Sequence, residues 1–240
     1  MNTDAATILN HLQHVADERA RRSADADFAQ RVVAVKRFQH ARFAQTYADE
    51  LQQPRYAAAA RFFLDDLYGP RDFSERDEQF ARIVGPLTRL FPAEIVDTVA
   101  HLAELHALSE TLDGAMGAVV ESPVIDASQY VRAWQTVGQP EQREQQVALM
   151  LAIGYAIDGY TRNPILRHSL RLMRGPAHAA GLAALQGFLE KGFETFRAMR
   201  GADPFLQLVA TRERELIGRL FAAHAASVAN GSDPVLGKLP

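Results

Sequence analysis

Apolar residues recur with a period near 3.6 along almost the whole chain, and strict polar-apolar alternation between tight turns occurs nowhere. That periodicity builds helices and leaves nothing for a sheet. The expected fold class is all-α, a single-domain multi-helix bundle of about ten helices around a central apolar helix. Helices are expected over residues 4–22, 27–51, 55–68, 74–90, 93–120, 127–137, 141–160, 165–173, 177–199 and 204–226. Their limits have local causes. Gly69-Pro70 ends the third helix, and Ser74 with Asp77 has the spacing of a capping box. Pro92, Pro140, Pro164 and Pro204 suit first helical turns, where no N–H is needed. Gly85-Pro86 predicts a kink or a second start in the fourth helix. The domain is expected to span residues 1–229, with 230–240 a loosely ordered tail.

Composition narrows the partners. At 240 residues and 48% hydrophobic, the chain can bury one continuous core. A formal net charge of -3 gives no global cationic excess, so neither nucleic acid nor an anionic membrane is an expected partner. The absence of cysteine removes disulfides, thiolate metal sites and cysteine nucleophiles, and it suits a reducing, cytoplasmic setting. Residues 1–22 carry charges where a signal peptide needs an apolar stretch. The longest nearly apolar run, Val147 to Ile157, falls well short of the ~20 residues that span a bilayer, so it reads as the central helix. Gly154 and Gly159 on that helix would let a neighbour approach its backbone, and Asp158 with Arg162 has the spacing of an intrahelical ion pair.

The helix at 93–120 is the most informative. At 100° per residue, Ile95, Val99, Leu102, Met116 and Val120 share one stripe, and His106, Ser109 and Asp113 fall in the same stripe, with Glu110 at its edge. Polar groups aimed at a core must be hydrogen-bonded or wetted by a pocket, because burying each without a partner costs about 1–3 kcal/mol. Two readings follow. His106 is a satisfied core histidine paired with Asp113 or a backbone group, or the cluster borders a small-ligand pocket. On the opposite face Glu94, Asp97, His101 and Glu104 form a charged stripe turned to solvent; no metal site and no cofactor are expected.

Charge is unevenly spread. Residues 62–126 hold thirteen carboxylates against four arginines, while 28–48 and 159–189 are basic without an acid. These segments either neutralise one another internally, or Arg167, Arg171 and Arg174, one helical stripe, bind an anion or an acidic partner.

Between the third and fourth helices runs Phe62-Phe63-Leu64-Asp65-Asp66-Leu67-Tyr68-Gly69-Pro70-Arg71-Asp72, and later Met173-Arg174-Gly175-Pro176-Ala177-His178. In these words the chain, from about Arg55 to Glu215, resembles an uncharacterised bacterial family of all-helical proteins with a Phe-Phe-x-x-x-Leu-Tyr-Gly-Pro-Arg-Asp motif. The resemblance implies a helical fold and carries no established activity. Physically the segment is a tight interhelical corner locked by Arg and Asp hydrogen bonds, or a ligand site in which Arg61, Tyr68, Arg71 and Asp72 face a cleft beside His106.

Phosphate-binding loops, dinucleotide glycine fingerprints, nucleophile-elbow and His-Glu-x-x-His motifs are all missing. The leading expectation is a soluble helical binding or interaction module with a small-molecule pocket near His106. Phe188, Phe193 and Phe196 supply apolar area for a homo-oligomer, or else fill the core. The alternative is a hydrolase or proton-transfer enzyme with His106 as base, oriented by Asp113 or Glu110; a third reading is an anion or nucleic-acid binder.

Overall fold

The computed structural model describes residues 5–67, 69–223, 236 and 239–240, and every regular element among them is helical. In chain order these are α1 (Ala5–Ser23), α2 (Ala26–Thr46), α3 (Ala57–Phe62), a π-helical turn (Phe63–Leu67), α4 (Ser74–Leu90), α5 (Ala93–Val119) and α6 (Ala127–Val137). Then follow α7 (Pro140–Thr161), α8 (Pro164–Leu172), α9 (Arg174–Ala179), α10 (Ala183–Met199) and α11 (Asp203–Ala222).

Side-chain caps set several starts. Asp25 accepts the Phe28 N–H at 3.0 Å before α2, Asn163 accepts that of Ile165 at 2.9 Å before α8, and Asp126 and Gln129 form a reciprocal capping box on α6. Pro140, Pro164 and Pro204 occupy first turns as expected. Three local expectations are corrected. First, α4 makes no second start at Gly85-Pro86 and continues through Pro86 to Leu90. Second, its start is held by Asp72, which accepts the Ser74 N–H at 2.9 Å, because Asp77 is buried with other partners. Third, the expected helix 177–199 is broken at Gly181, whose φ of +66° is open to glycine and strained for other residues.

Packing explains the order of the bundle. The long α5 touches α1, α2, α4, α6 and α7, while α7 touches α5, α8, α10 and α11, so the central position expected of α7 is shared by this pair. Small residues let neighbours close on α5: a Cβ on Gly117 would lie 2.4 Å from Val32 Cγ2 of α2. Because α5 is covered on several sides, its buried residues do not follow the single stripe expected. Val96, Ala100, Ala103 and Ala107 are buried, whereas Ile95, Val99 and Leu102 are only partly covered. On α7 a Cβ at Gly154 would meet Leu206 of α11 at 2.6 Å, but Gly159 faces open space.

The apolar interior falls into three clusters. One joins Phe43, Phe63, Phe196 and Phe205 of α2, the π turn, α10 and α11; a second joins Val35, Met116, Tyr130, Trp134 and Leu220; a third lies between α1, α4 and α5. Each large side chain so buried contributes about 1.5–3 kcal/mol. Phe193 and Phe196 are buried, and Phe188 stacks on Phe62 with centroids 5.6 Å apart, so these rings pack within the chain. Most of the expected tail, 230–240, lies outside the described residues; within it Leu236 is buried in the second cluster. No described helix is long and apolar enough to cross a membrane.

Candidate functional site

Between the first and second apolar clusters the helices leave a polar cavity with about 90 Å³ of room for water centres, several times what one water needs. Its walls come from five helices and the interhelical corner: Lys36, Gln39 and Arg42 of α2, His106, Ser109, Glu110 and Asp113 of α5, and Tyr130 and Trp134 of α6. Arg143, Gln146, Val147 and Met150 of α7, Glu213 and Ile217 of α11, and Leu67, Gly69 and Phe73 complete it. The α5 set expected to point inward is thus brought together at one cavity, facing the α7 helix.

The geometry within that set differs from expectation in two ways. Glu110, placed at the stripe's edge by sequence, is the most buried of the four at 4% exposure. Arg22 of α1 and Lys36 of α2 both donate to it, the lysine at 2.6 Å. Burial pushes its pKa up, but Lys36 and then Arg22 outweigh that, leaving it at about 2. His106, for its part, pairs with neither Asp113 nor Glu110: its Nε2 lies 2.7 Å from Asp77 Oδ2 of α4. Asp77 also accepts from Arg19 at 2.6 Å and from Arg76 at 3.3 Å. Burial opposes ionisation of Asp77, yet His106, Arg76 and Arg19 hold its pKa at about 2. The carboxylate therefore fixes the imidazole ring through Nε2, so in the neutral ring Nδ1 is the acceptor.

Ser109 Oγ accepts from Gln146 of α7 at 2.9 Å, closing the cavity between α5 and α7. Asp113 has a raised pKa, first from burial and then from the nearby Glu110, with Lys36 Nζ at 3.8 Å pulling the other way. Sequence reasoning did not select Lys36, Arg42, Trp134, Arg143 or Glu213. Arg42 is buried and bonds Glu213 at 2.7 Å, and Tyr47 donates to the same carboxylate at 2.8 Å. Burial lowers the pKa of Arg42, and Glu213 more than restores it. Arg143 is 3% exposed, with Cζ 3.9 Å from the Trp134 ring centroid, and its pKa is lowered chiefly by burial. A signal for it existed: stepping back one turn from Val147 along the buried stripe Val147, Gly154 and Asp158 reaches Arg143.

The remaining expected residues lie elsewhere. Arg61, Arg71 and Asp72 are exposed and do not line the cavity, and Tyr68 lies outside the described residues. What the corner contributes is Gly69, where a Cβ would sit 2.6 Å from the Asp65 carbonyl oxygen, together with Leu67 and Phe73. Arg167 and Arg171 bond Glu194 at 3.2 and 3.3 Å, and Arg174 makes a two-point contact with Glu190, so α10 supplies a carboxylate to each member of the stripe. Asp158 accepts from Arg162 at 2.5 Å and from the Ala202 N–H at 3.0 Å, joining α7 to the start of α11. On the outer side of α5 Glu94 is exposed, and Glu104 accepts from Gln145 at 2.6 Å. Among the described residues, no three His, Asp or Glu side chains converge as a metal site.

Comparison with curated proteins and with solved structures finds no match to the chain. A family model does match, over residues 18–227, which takes in every residue lining the cavity. The chain belongs to the family described as Domain of unknown function (DUF8198).

Proposed function

We propose that the protein is a helical binding module whose ligand is a small molecule held in the cavity between α2, α5 and α7. The observation that carries the reading is the convergence of Ser109, Glu110 and Asp113 with Lys36, Arg143 and Gln146 around one polar space inside a helical bundle, the kind of cleft in which small ligands bind. Lys36, Glu110 and Arg22 pre-order one wall, so little ordering remains to be done on binding. The Phe-Phe-x-x-x-Leu-Tyr-Gly-Pro-Arg-Asp word serves in this reading as the corner that closes one side. The protein is cytoplasmic and self-associating in the same proposal, with Ile165, Leu172 and Met173 offering exposed apolar area.

A thermal-shift screen of a small-metabolite library tests the core of this. A ligand at 100 times its Kd should stabilise the native chain by about 2.7 kcal/mol, and Ser109→Leu, which narrows the cavity, should abolish the shift. A library without hits, or hits that shift the plugged variant equally, would remove the proposal.

A second reading rests on the 2.7 Å contact between Asp77 and His106. A ring so oriented suits a general base acting on a bound substrate. Here His106→Gln would keep ligand binding and lose turnover of that ligand; unchanged turnover would exclude it.

A further inference from the structure

Among the described residues six buried side-chain polar atoms have no hydrogen-bond partner. Two are carboxylate oxygens, of Glu18 and Glu50, away from the cavity. The other four are all donors: Arg143 Nε and Nη2, Arg42 Nε and Trp134 Nε1, on three residues that line the same cavity. Buried donors are ordinarily paired, and an unpaired N–H is satisfied only by an acceptor.

Arg143 is the informative one. Its Nη1 is 3.4 Å from Gln146 Oε1, which leaves Nε and Nη2, the two nitrogens that share one edge of the planar guanidinium. That edge matches the two oxygens of a carboxylate or of a phosphate. Trp134 covers the face of the same guanidinium and holds its plane. The neighbouring cations are engaged already, Lys36 with Glu110 and Arg42 Nη1 with Glu213. Against Lys36, Arg42 and Arg143 stand Glu110, Glu213 and Asp113, and burial holds Asp113 towards its uncharged form. Val147, Met150, Leu67 and Phe73 offer apolar wall to the rest of a ligand.

We infer that the cavity binds a small oxyanion, gripped edge-on by Arg143 Nε and Nη2 against the Trp134 ring. This rests on the reading of the cavity as a ligand site and names the chemistry of its ligand.

Trp134 is the only tryptophan in the chain, so intrinsic fluorescence reports from the cavity wall itself. The full chain is titrated with butyrate, with butyramide as the uncharged molecule of the same shape, and with inorganic phosphate. The expected result is a saturable change in Trp134 emission with butyrate and none with butyramide over the same range. Arg143→Lys, which keeps the charge and loses the planar edge, should weaken binding at least tenfold with an unchanged helical circular dichroism spectrum. Arg143→Gln is the second variant if the lysine variant does not fold. Saturation by phosphate in place of butyrate keeps the oxyanion and assigns it as phosphate. Equal response to butyramide and butyrate, or equal affinity in the Arg143 variant, overturns the oxyanion and leaves the cavity a ligand site. Silence from all three probes also overturns it, and the library screen then decides the cavity's role separately.

Discussion

Glu110 is where α1, α2 and α5 are tied together, and Glu110→Gln tests that tie while keeping the side chain's shape. Arg22 and Lys36 both donate to a carboxylate that is 4% exposed. Its burial raises the pKa, Lys36 and Arg22 lower it by more, and the result is about 2 against an ordinary 4.5. A depression of that size corresponds to about 3 kcal/mol of stability. The folded pKa lies below the unfolded one, so this contribution is complete above pH 4.5 and is lost as the pH falls towards 2. Removing one partner of a buried pair costs about 3–5 kcal/mol because the other charge stays behind. Asp113, 3.8 Å from Lys36 Nζ, limits that loss by offering the lysine another carboxylate. Urea unfolding near neutral pH should therefore find Glu110→Gln about 3 kcal/mol less stable than the native chain. Below the unfolded carboxylate pKa the gap should narrow by about 1.4 kcal/mol per pH unit. A gap under about 1 kcal/mol at neutral pH, or one that stays constant as acid is added, would refute the assignment of Glu110 as an ionised buried anchor.

Four further substitutions probe three separate features. Gly117→Ala places a Cβ 2.4 Å from Val32 Cγ2 and 3.1 Å from the Val32 backbone, so thermal unfolding should show a loss of about 1–3 kcal/mol. Asp158→Asn should cost about 1–2 kcal/mol by weakening the bond to the Ala202 N–H, whereas Arg162→Ala, whose side chain is 74% exposed, should cost less than about 0.5 kcal/mol. Arg143→Met removes a buried cation with two unsatisfied nitrogens, so without added ligand its unfolding free energy should equal or exceed that of the native chain; a loss of about 3 kcal/mol would mark Arg143 as structural.

Periodicity sufficed for most of the helices because their starts depend on residues adjacent in sequence: Asp25, Asp126, Asn163 and the first-turn prolines act within three positions of the atoms they serve. It failed where a residue's partner lies far along the chain. Ser74 and Asp77 have capping-box spacing, yet Asp77 is drawn to His106, 29 residues away, and that burial wins over a local cap. His106, Ser109 and Asp113 line the cavity, each partly buried, although the apolar stripe that selected them is not the buried face of α5. The depth of Glu110 was not legible, because α5 is covered by α1, α2 and α7 at once and has no single buried face. The rest of the cavity wall comes from α2, α6, α7 and α11. Lys36 and Arg42 stood out only as part of an acid-free run, and Trp134 carried no signal of its own. Nothing in one sequence says that those three would meet. Likewise the stripe of Arg167, Arg171 and Arg174 looks free in sequence because its carboxylates, Glu190 and Glu194 of α10, lie 16 to 27 residues further along the chain.

Whether the polar face of α5 borders a cavity can be measured directly, because the chain has no cysteine and a single one can be introduced without background. Ser109→Cys on the cavity wall and Ala118→Cys on the exposed side of the same helix are compared for reaction with a small methanethiosulfonate and with a bulky fluorescein maleimide. A cavity of this size predicts that Cys at 118 reacts rapidly with both reagents, while Cys at 109 accepts the small one and resists the bulky one until the protein is unfolded. Equal labelling of the two sites by the maleimide in the native state would put Ser109 in bulk solvent and contradict the cavity.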